Sequence, residues 1–226
     1  MKTLHLRPRL SSRNPVIMAA MLLAFAPLAT VGTAQTLALK EVAAKAETGD
    51  SEAQAMLGWM YATGRGAPKD FTAAFKWLRS AAEQGVPSAQ FNLGLMFDTG
   101  QGVRKGGVDA VKWYRKAAEQ GYVSAQNNLG LVYYEGRGVT KNYRESLHWF
   151  RVAADKGDAS AQNNLGLMHY HGQGVGKDLV EAYKWFALAA AQKDPNAAKM
   201  MEKAAGQMTP AQLDEARVRA ARMLKG

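Results

Sequence analysis

His169 and His171 stand two residues apart, with His148 the next histidine upstream. This is the nearest the chain comes to a metal or proton-transfer signature. Residues two apart on a helix do not share a face, and a zinc site needs three or four converging ligands. His169 also falls where the chain carries an aromatic ring at each earlier 36-residue interval, Tyr61, Phe97 and Tyr133, so it reads as a core-side ring. The other reactive constellations are missing: no His-Glu-x-x-His, no Gly-x-Ser-x-Gly, no Ser-x-x-Lys and no Walker loop. With no cysteine among 226 residues there is no thiolate nucleophile, thiolate metal site or disulfide framework. No catalytic residue, metal ligand set or cofactor is assigned.

The side chains with recognition chemistry to offer are amides and phenols. Asn92, Asn128 and Asn164 recur every 36 residues, and Tyr134 and Tyr170 share the same spacing. Their positions are set by a repeat. Gly49, Gly85, Gly121 and Gly157 open four blocks of 36 residues, 49–84, 85–120, 121–156 and 157–192. A period of this size signals a solenoid, in which each unit buries its apolar face against its neighbours.

Each block reads as a helix pair. Its third residue is Ser51, Pro87, Val123 or Ala159, with Pro195 in a degenerate fifth block. Proline suits a first helical position, and Asp50, Asp158 and Asp194 just before are good N-caps. Helix A should therefore start at the third residue. It should end near a Gly-x-Gly such as Gly100/Gly102, since glycine supplies the left-handed conformation that closes a helix. That pair follows no strand, so it is not a nucleotide fingerprint. Helix B should follow caps at Asp70, Asn142 and Asp178. Its apolar residues in the first block, Phe71, Ala74, Phe75, Leu78, Ala81 and Ala82, have helical spacing. Trp77, Trp113, Trp149 and Trp185 share one position in it and are expected in the core. Gly58, Gly94, Gly130 and Gly166 lie inside helix A at a cost of about 1 kcal/mol each against alanine, which argues for crowded contacts. The second block has Gly106-Gly107 in place of a cap and a core side chain, and its helix B is expected to start late, near Val108.

The ends read as caps: residues 35–48 as an N-terminal helix, and residues 193–226 as a worn helix A followed by a helix opened by Thr209-Pro210-Ala211-Gln212. Residues 1–34 read as a secretory signal peptide. Lys2, Arg7, Arg9 and Arg13 form the basic start, Val16–Ala29 the apolar stretch, and Ala34 the residue before cleavage. The expected location is periplasmic or secreted. The formal charge of +10 drops once the leader is removed, because the remainder holds 25 basic and 19 acidic residues. A charge of +6 is not the footprint of a dedicated nucleic-acid binder. The basic last helix suits its own dipole, so neither nucleic acid nor a membrane surface is expected as partner.

The run A-x-x-N-L-G-L-x-Y/H-x-x-G-x-G-V-x-K-D/N, followed by W-F/Y-R-x-A-A, resembles the Sel-1-like repeat family, a cousin of the tetratricopeptide repeat. The resemblance covers residues 49–192. It implies an all-α fold, a right-handed α/α solenoid (superhelix) of helix pairs, and a non-enzymatic adaptor or scaffold role. Bacterial members are often exported and act in envelope regulation, secretion, signalling or host interaction. Some cysteine-rich members look like binders of penicillin-type ligands, but their disulfide-linked helix pairs are absent here. The alternative reading is a peptidoglycan- or β-lactam-related binding protein or hydrolase.

The resemblance also implies that helix A lines the concave surface. On a helical wheel, Ala89, Leu93, Met96 and Phe97 mark the core side of helix A, and the opposite arc carries the candidates. These are Phe91, Asn127 and Asn163 at the seventh repeat position and Asn92, Asn128 and Asn164 at the eighth. Asp98, Tyr134 and Tyr170 follow at the fourteenth, with Glu135 and His171 at the fifteenth. Amides can pair with a peptide backbone, and tyrosines give contact area at low entropy cost. The expected partner is another protein or a peptide. A second reading stays open at the Asn ladder and at the matching ladder of Leu95, Leu131 and Leu167: both serve only to pack adjacent A helices.

Overall fold

The computed structural model describes residues 28–225. The basic start and most of the apolar stretch of the expected leader lie outside the described residues. Among the described residues there are eleven helices and no strand. They form two compact units that meet in sequence at Tyr122 and Val123.

The first unit holds α1 (Leu28–Glu47), α2 (Ser51–Thr63), α3 (Phe71–Glu83), α4 (Pro87–Thr99) and α5 (Gly107–Glu119). The second holds α6 (Val123–Glu135), α7 (Tyr143–Asp155), α8 (Ala159–His171), α9 (Leu179–Ala191), α10 (Ala197–Ala205) and α11 (Pro210–Lys225). Helices α2/α3, α4/α5, α6/α7 and α8/α9 are the A/B pairs of the four repeats. Helix α1 packs on α2, and α10 and α11 both pack on α9. Helix α1 runs through the expected cleavage point after Ala34.

Every A helix begins at the residue expected of it. Asp50 and Asp158 accept hydrogen bonds from the amides of Ala53 and Ala161, which satisfies one otherwise unpaired N–H at each start. The fifth block departs from expectation. Pro195 lies in a turn and α10 starts at Ala197, although the Asp194 carboxylate accepts from the amides of both Asn196 and Ala197, as Asp70 does from Thr72 and Ala73. At the other end, Thr209 and Gln212 exchange hydrogen bonds as a reciprocal capping box opening α11.

Helix α5 corrects a second expectation. It starts at Gly107, in register with Phe71, Tyr143 and Leu179, rather than late at Val108. The backbone fixes this start. Gly106 has φ −148° and ψ 96°, close to −146° and 103° at Asp70. Its N–H donates to the Phe97 carbonyl at 2.9 Å, as that of Asp70 does to Tyr61 at 3.0 Å. What α5 lacks is the side-chain cap and the side chain at its first position.

Each repeat closes around its mid-helix glycine. A Cβ on Gly58, Gly94, Gly130 or Gly166 would meet Leu78, Tyr114, Phe150 or Phe186 at 2.6–2.7 Å. These four partners are fully buried, and each follows the tryptophan position by one residue. The tryptophans are less uniform than expected: Trp113 and Trp185 are 8% and 2% exposed, whereas Trp77 and Trp149 are half-buried. The B helix therefore sends the residue after tryptophan straight down onto helix A. Burying such a side chain contributes about 1.5–3 kcal/mol.

The A-to-B turns join repeats. Gly102 and Gly174 have positive φ, 71° and 73°. A Cβ on Gly102 would collide with the carbonyl of Phe71, the first residue of the previous repeat's helix B. One on Gly174 would lie 2.5 Å from the Tyr143 carbonyl oxygen. Only glycine allows the backbones to come this near.

Candidate partner-binding face

The side chains expected on the open arc of helix A divide into two groups. At the seventh position they are covered. Phe91 is 3% exposed and packs against the rings of Tyr114 and Tyr122, with centroids 5.9 and 5.2 Å away. Burial raises the pKa of the Tyr122 phenol. Asn127 and Asn163 are buried too. At the eighth position Asn128 and Asn164 are buried and Asn92 is half-buried. The wheel put these positions opposite the core of their own repeat. It did not include neighbouring elements: Tyr114 and Tyr122 cover Phe91, and Asn164 of the next A helix bonds Asn127.

One rung of the amide ladder is explicit. Asn164 Nδ2 donates to Asn127 Oδ1 at 3.1 Å, joining α8 to α6. Asn163 Oδ1 is buried with no partner. Leu131 and Leu167 are buried, and Leu95 is half-buried.

The last turn of helix A is different. Asp98, Tyr134 and Tyr170 are half-buried, and Glu135 and His171 are exposed. The Tyr134 hydroxyl donates to Gln173 Oε1 at 3.0 Å, and Gln207 Nε2 donates to the Tyr170 hydroxyl. Each phenol is thus held by a glutamine from the segment that follows the next A helix. In the first unit the Tyr114 hydroxyl lies 3.4 Å from Asp98 Oδ2.

His169 faces inward, as its aromatic counterparts suggested, and is 4% exposed. Arg151 Nη2 lies 3.4 Å from its Nε2, while Nδ1 has no partner. Burial first, and then the Arg151 cation, lower the pKa of the ring. Among the described residues no group of three or more His, Asp or Glu side chains could hold a metal ion. No helix of the described residues is long and apolar enough to cross a membrane.

A glutamine network is the feature that sequence reasoning missed. Gln54, Gln90 and Gln162 are buried and donate to the carbonyls of Ala46, Ala82 and Ala154. Each accepts from a second glutamine 30 residues later, Gln84, Gln120 or Gln192, at 2.7–2.9 Å. The signal was present as two glutamines at fixed repeat positions. The third block has Lys156 at the second of them. This network joins helix A to its own helix B and to the preceding one, so it serves the scaffold.

Comparison with known proteins agrees with this architecture. The Sel1 repeat profile matches residues 51–86, 87–122, 123–158 and 159–194, counting each unit from the first residue of helix A. A protective antigen of uropathogenic Escherichia coli displaying an SLR fold is 37% identical, with a TM-score of 0.72. The match covers 82% of this chain but only 41% of that one, so this chain spans less than half of the antigen's length. A Sel1 repeat protein from Oxalobacter formigenes is 36% identical, with a TM-score of 0.67, covering 77% of this chain and 74% of the other. No curated protein matches the sequence. Four consecutive matched repeats, a helix pair in each, and the likeness to solved solenoids of the same kind make this chain an α/α solenoid that belongs to the Sel1 repeat family.

Proposed function

We propose that the protein is a non-enzymatic, exported adaptor of the cell envelope, acting in regulation, secretion or signalling. It holds a protein or peptide segment against the last turns of its A helices. The observation that carries this reading is the pair of bonds fixing Tyr134 to Gln173 and Tyr170 to Gln207. A half-buried phenol with its hydroxyl already tied offers a rigid, amphipathic surface, so little side-chain entropy is lost when a partner covers it. Glu135 and His171 stand next to the two tyrosines and differ from the threonines of the first two repeats, so they can select among partners. Export is supported by the basic start and apolar stretch of the first 34 residues.

Photo-crosslinking groups placed in living cells at Tyr134 and Tyr170, and at exposed Arg144 as control, test the binding face. Capture of a protein at the tyrosines and not at Arg144 is expected; capture at Arg144 alone overturns the assignment. Intact mass of the protein from the periplasmic fraction should place the mature start at Gln35. A chain still beginning at Met1 in the cytoplasmic fraction would remove the exported part of the reading.

A further inference from the structure

Two of the four B helices carry the same six-residue pattern. In α5 it is Val108-Asp109-Ala110-Val111-Lys112-Trp113, and in α9 Val180-Glu181-Ala182-Tyr183-Lys184-Trp185. The corresponding stretches of α3 and α7, TAAFKW and RESLHW, lack the valine, and neither has both the acid and the lysine.

In the second unit a helix covers this pattern. Helix α11 packs on α9, with Ala216 and Ala220 buried. Arg219 Nη1 reaches Glu181 Oε1 at 2.8 Å, and Lys184 Nζ holds Oε2 of the same carboxylate at 2.5 Å. Glu215, one turn earlier on α11, grips Arg219 Nη2 at 2.6 Å. Val180 is 8% exposed.

In the first unit the valine, the acid and the lysine of the pattern are exposed. Val108 is 71% exposed, more than any other large hydrophobic residue among those described. No salt bridge joins Asp109 to Lys112. A cavity of about 250 Å³ opens there instead, lined by Phe75, Arg79, Phe97, Asp109, Lys112 and Trp113 among others. It has room for a long side chain rather than one or two waters. Its counterpart in the second unit has His169 in the place of Phe97, with Arg151 against the ring.

We infer that α5 is a docking surface for a helix of a partner protein with the chemistry of α11. That helix carries small residues facing α5, an arginine for Asp109 and a glutamate one turn before the arginine. Charge alone would also admit an anion, because Lys112 and Arg79 line the cavity. The same two cations, Lys184 and Arg151, stand at the equivalent places in the second unit, and the carboxylate there still takes arginine. Hence the guanidinium is the favoured occupant. The inference does not depend on Tyr134 or Tyr170, and its test does not involve that face.

A fluorescent peptide with the sequence of residues 209–226, titrated into the full chain, is the probe. The chain's own α11 stays on α9 because tethering gives it a high effective concentration. Saturable binding is expected, with Asp109→Asn weakening it roughly tenfold through loss of a charge-assisted bond. Val108→Asp should weaken it as well, and both variants should keep the helical circular dichroism of the parent. A peptide with glutamate at the place of Arg219 should bind poorly. Absence of binding, binding indifferent to both substitutions, or equal binding of the glutamate peptide overturns the inference. So does loss of binding in Glu181→Gln but not in Asp109→Asn, since the peptide would then have replaced α11 at its own site.

Discussion

Gly130 lies against the ring of Phe150 so closely that a Cβ there would stand 2.6 Å from both Cδ1 and Cε1. The same relation recurs in every repeat, and it makes the weakest helix former in α6 the residue that admits the largest fully buried side chain of α7. Gly130→Ala gains about 1 kcal/mol of helix propensity and forces an overpacked contact worth about 1–3 kcal/mol or more. A net loss of stability is expected, read as a lower urea midpoint. A double variant, Gly130→Ala with Phe150→Leu, should recover part of it, Leu78 being the partner of Gly58 in the first repeat.

Removing a rung of the glutamine network should cost more than a surface substitution. Gln162 donates to the Ala154 carbonyl at 3.2 Å and accepts from Gln192 at 2.9 Å, and it is buried. Gln162→Ala removes two hydrogen bonds, at about 0.5–1.5 kcal/mol each, while the Ala154 carbonyl keeps the Gly157 amide and Gln192 keeps the Gly157 carbonyl. Amide hydrogen exchange should quicken in α7, α8 and α9 together, because the bonds lost link those helices.

Stability should fall in mild acid through His169. Burial and Arg151 hold its imidazole below the ordinary value of 6.5, with Lys184 adding to the effect and Glu181 and Asp178 opposing it. The unfolded chain therefore binds a proton more readily than the folded one. Stability is full above pH 6.5 and declines as pH drops towards the folded value, by up to about 1.4 kcal/mol per pH unit. Urea midpoints at pH 7.5 and pH 5 should differ more in the parent than in His169→Phe, which restores the residue type of Phe97. Equal differences would exclude His169 as the source.

Gly106→Asn should stabilise α5. The backbone there already has the geometry of Asn142, so the amide can cap the helix, and the unfolded chain loses freedom with the glycine. A gain of about 0.5–1 kcal/mol is expected. The new Cβ would lie 3.0 Å from Asp109 Oδ2, on an exposed side chain that can give way. A loss of stability would mean that Asp109 is held in place.

The sequence carried most of the architecture, because helix starts, capping residues and glycine turns are local signals repeated four times. It misled where one element depends on another. Pro195 looked like a helix start, yet it lies in a turn and the helix begins two residues further on, at Ala197. Gly106-Gly107 looked like a fault, yet the Phe97 carbonyl fixes the junction. The candidate face was legible only in part. A wheel drawn for one helix placed Phe91 and Asn127 in the open, whereas contacts with Tyr122 and Asn164 cover them. Tyr134 and Tyr170 could be picked out by their variation, but their glutamine partners are 39 and 37 residues away and leave no local trace.

The turn glycines Gly102 and Gly174 each meet the carbonyl of a residue 31 positions earlier, in the preceding repeat. Such a joint accepts any neighbour that brings its own helix start to the same place. The chain can therefore be lengthened or shortened by whole periods and by nothing smaller. Copy number sets how many A helices the chain presents, while a single-residue insertion between the two contact points breaks the register of the joint.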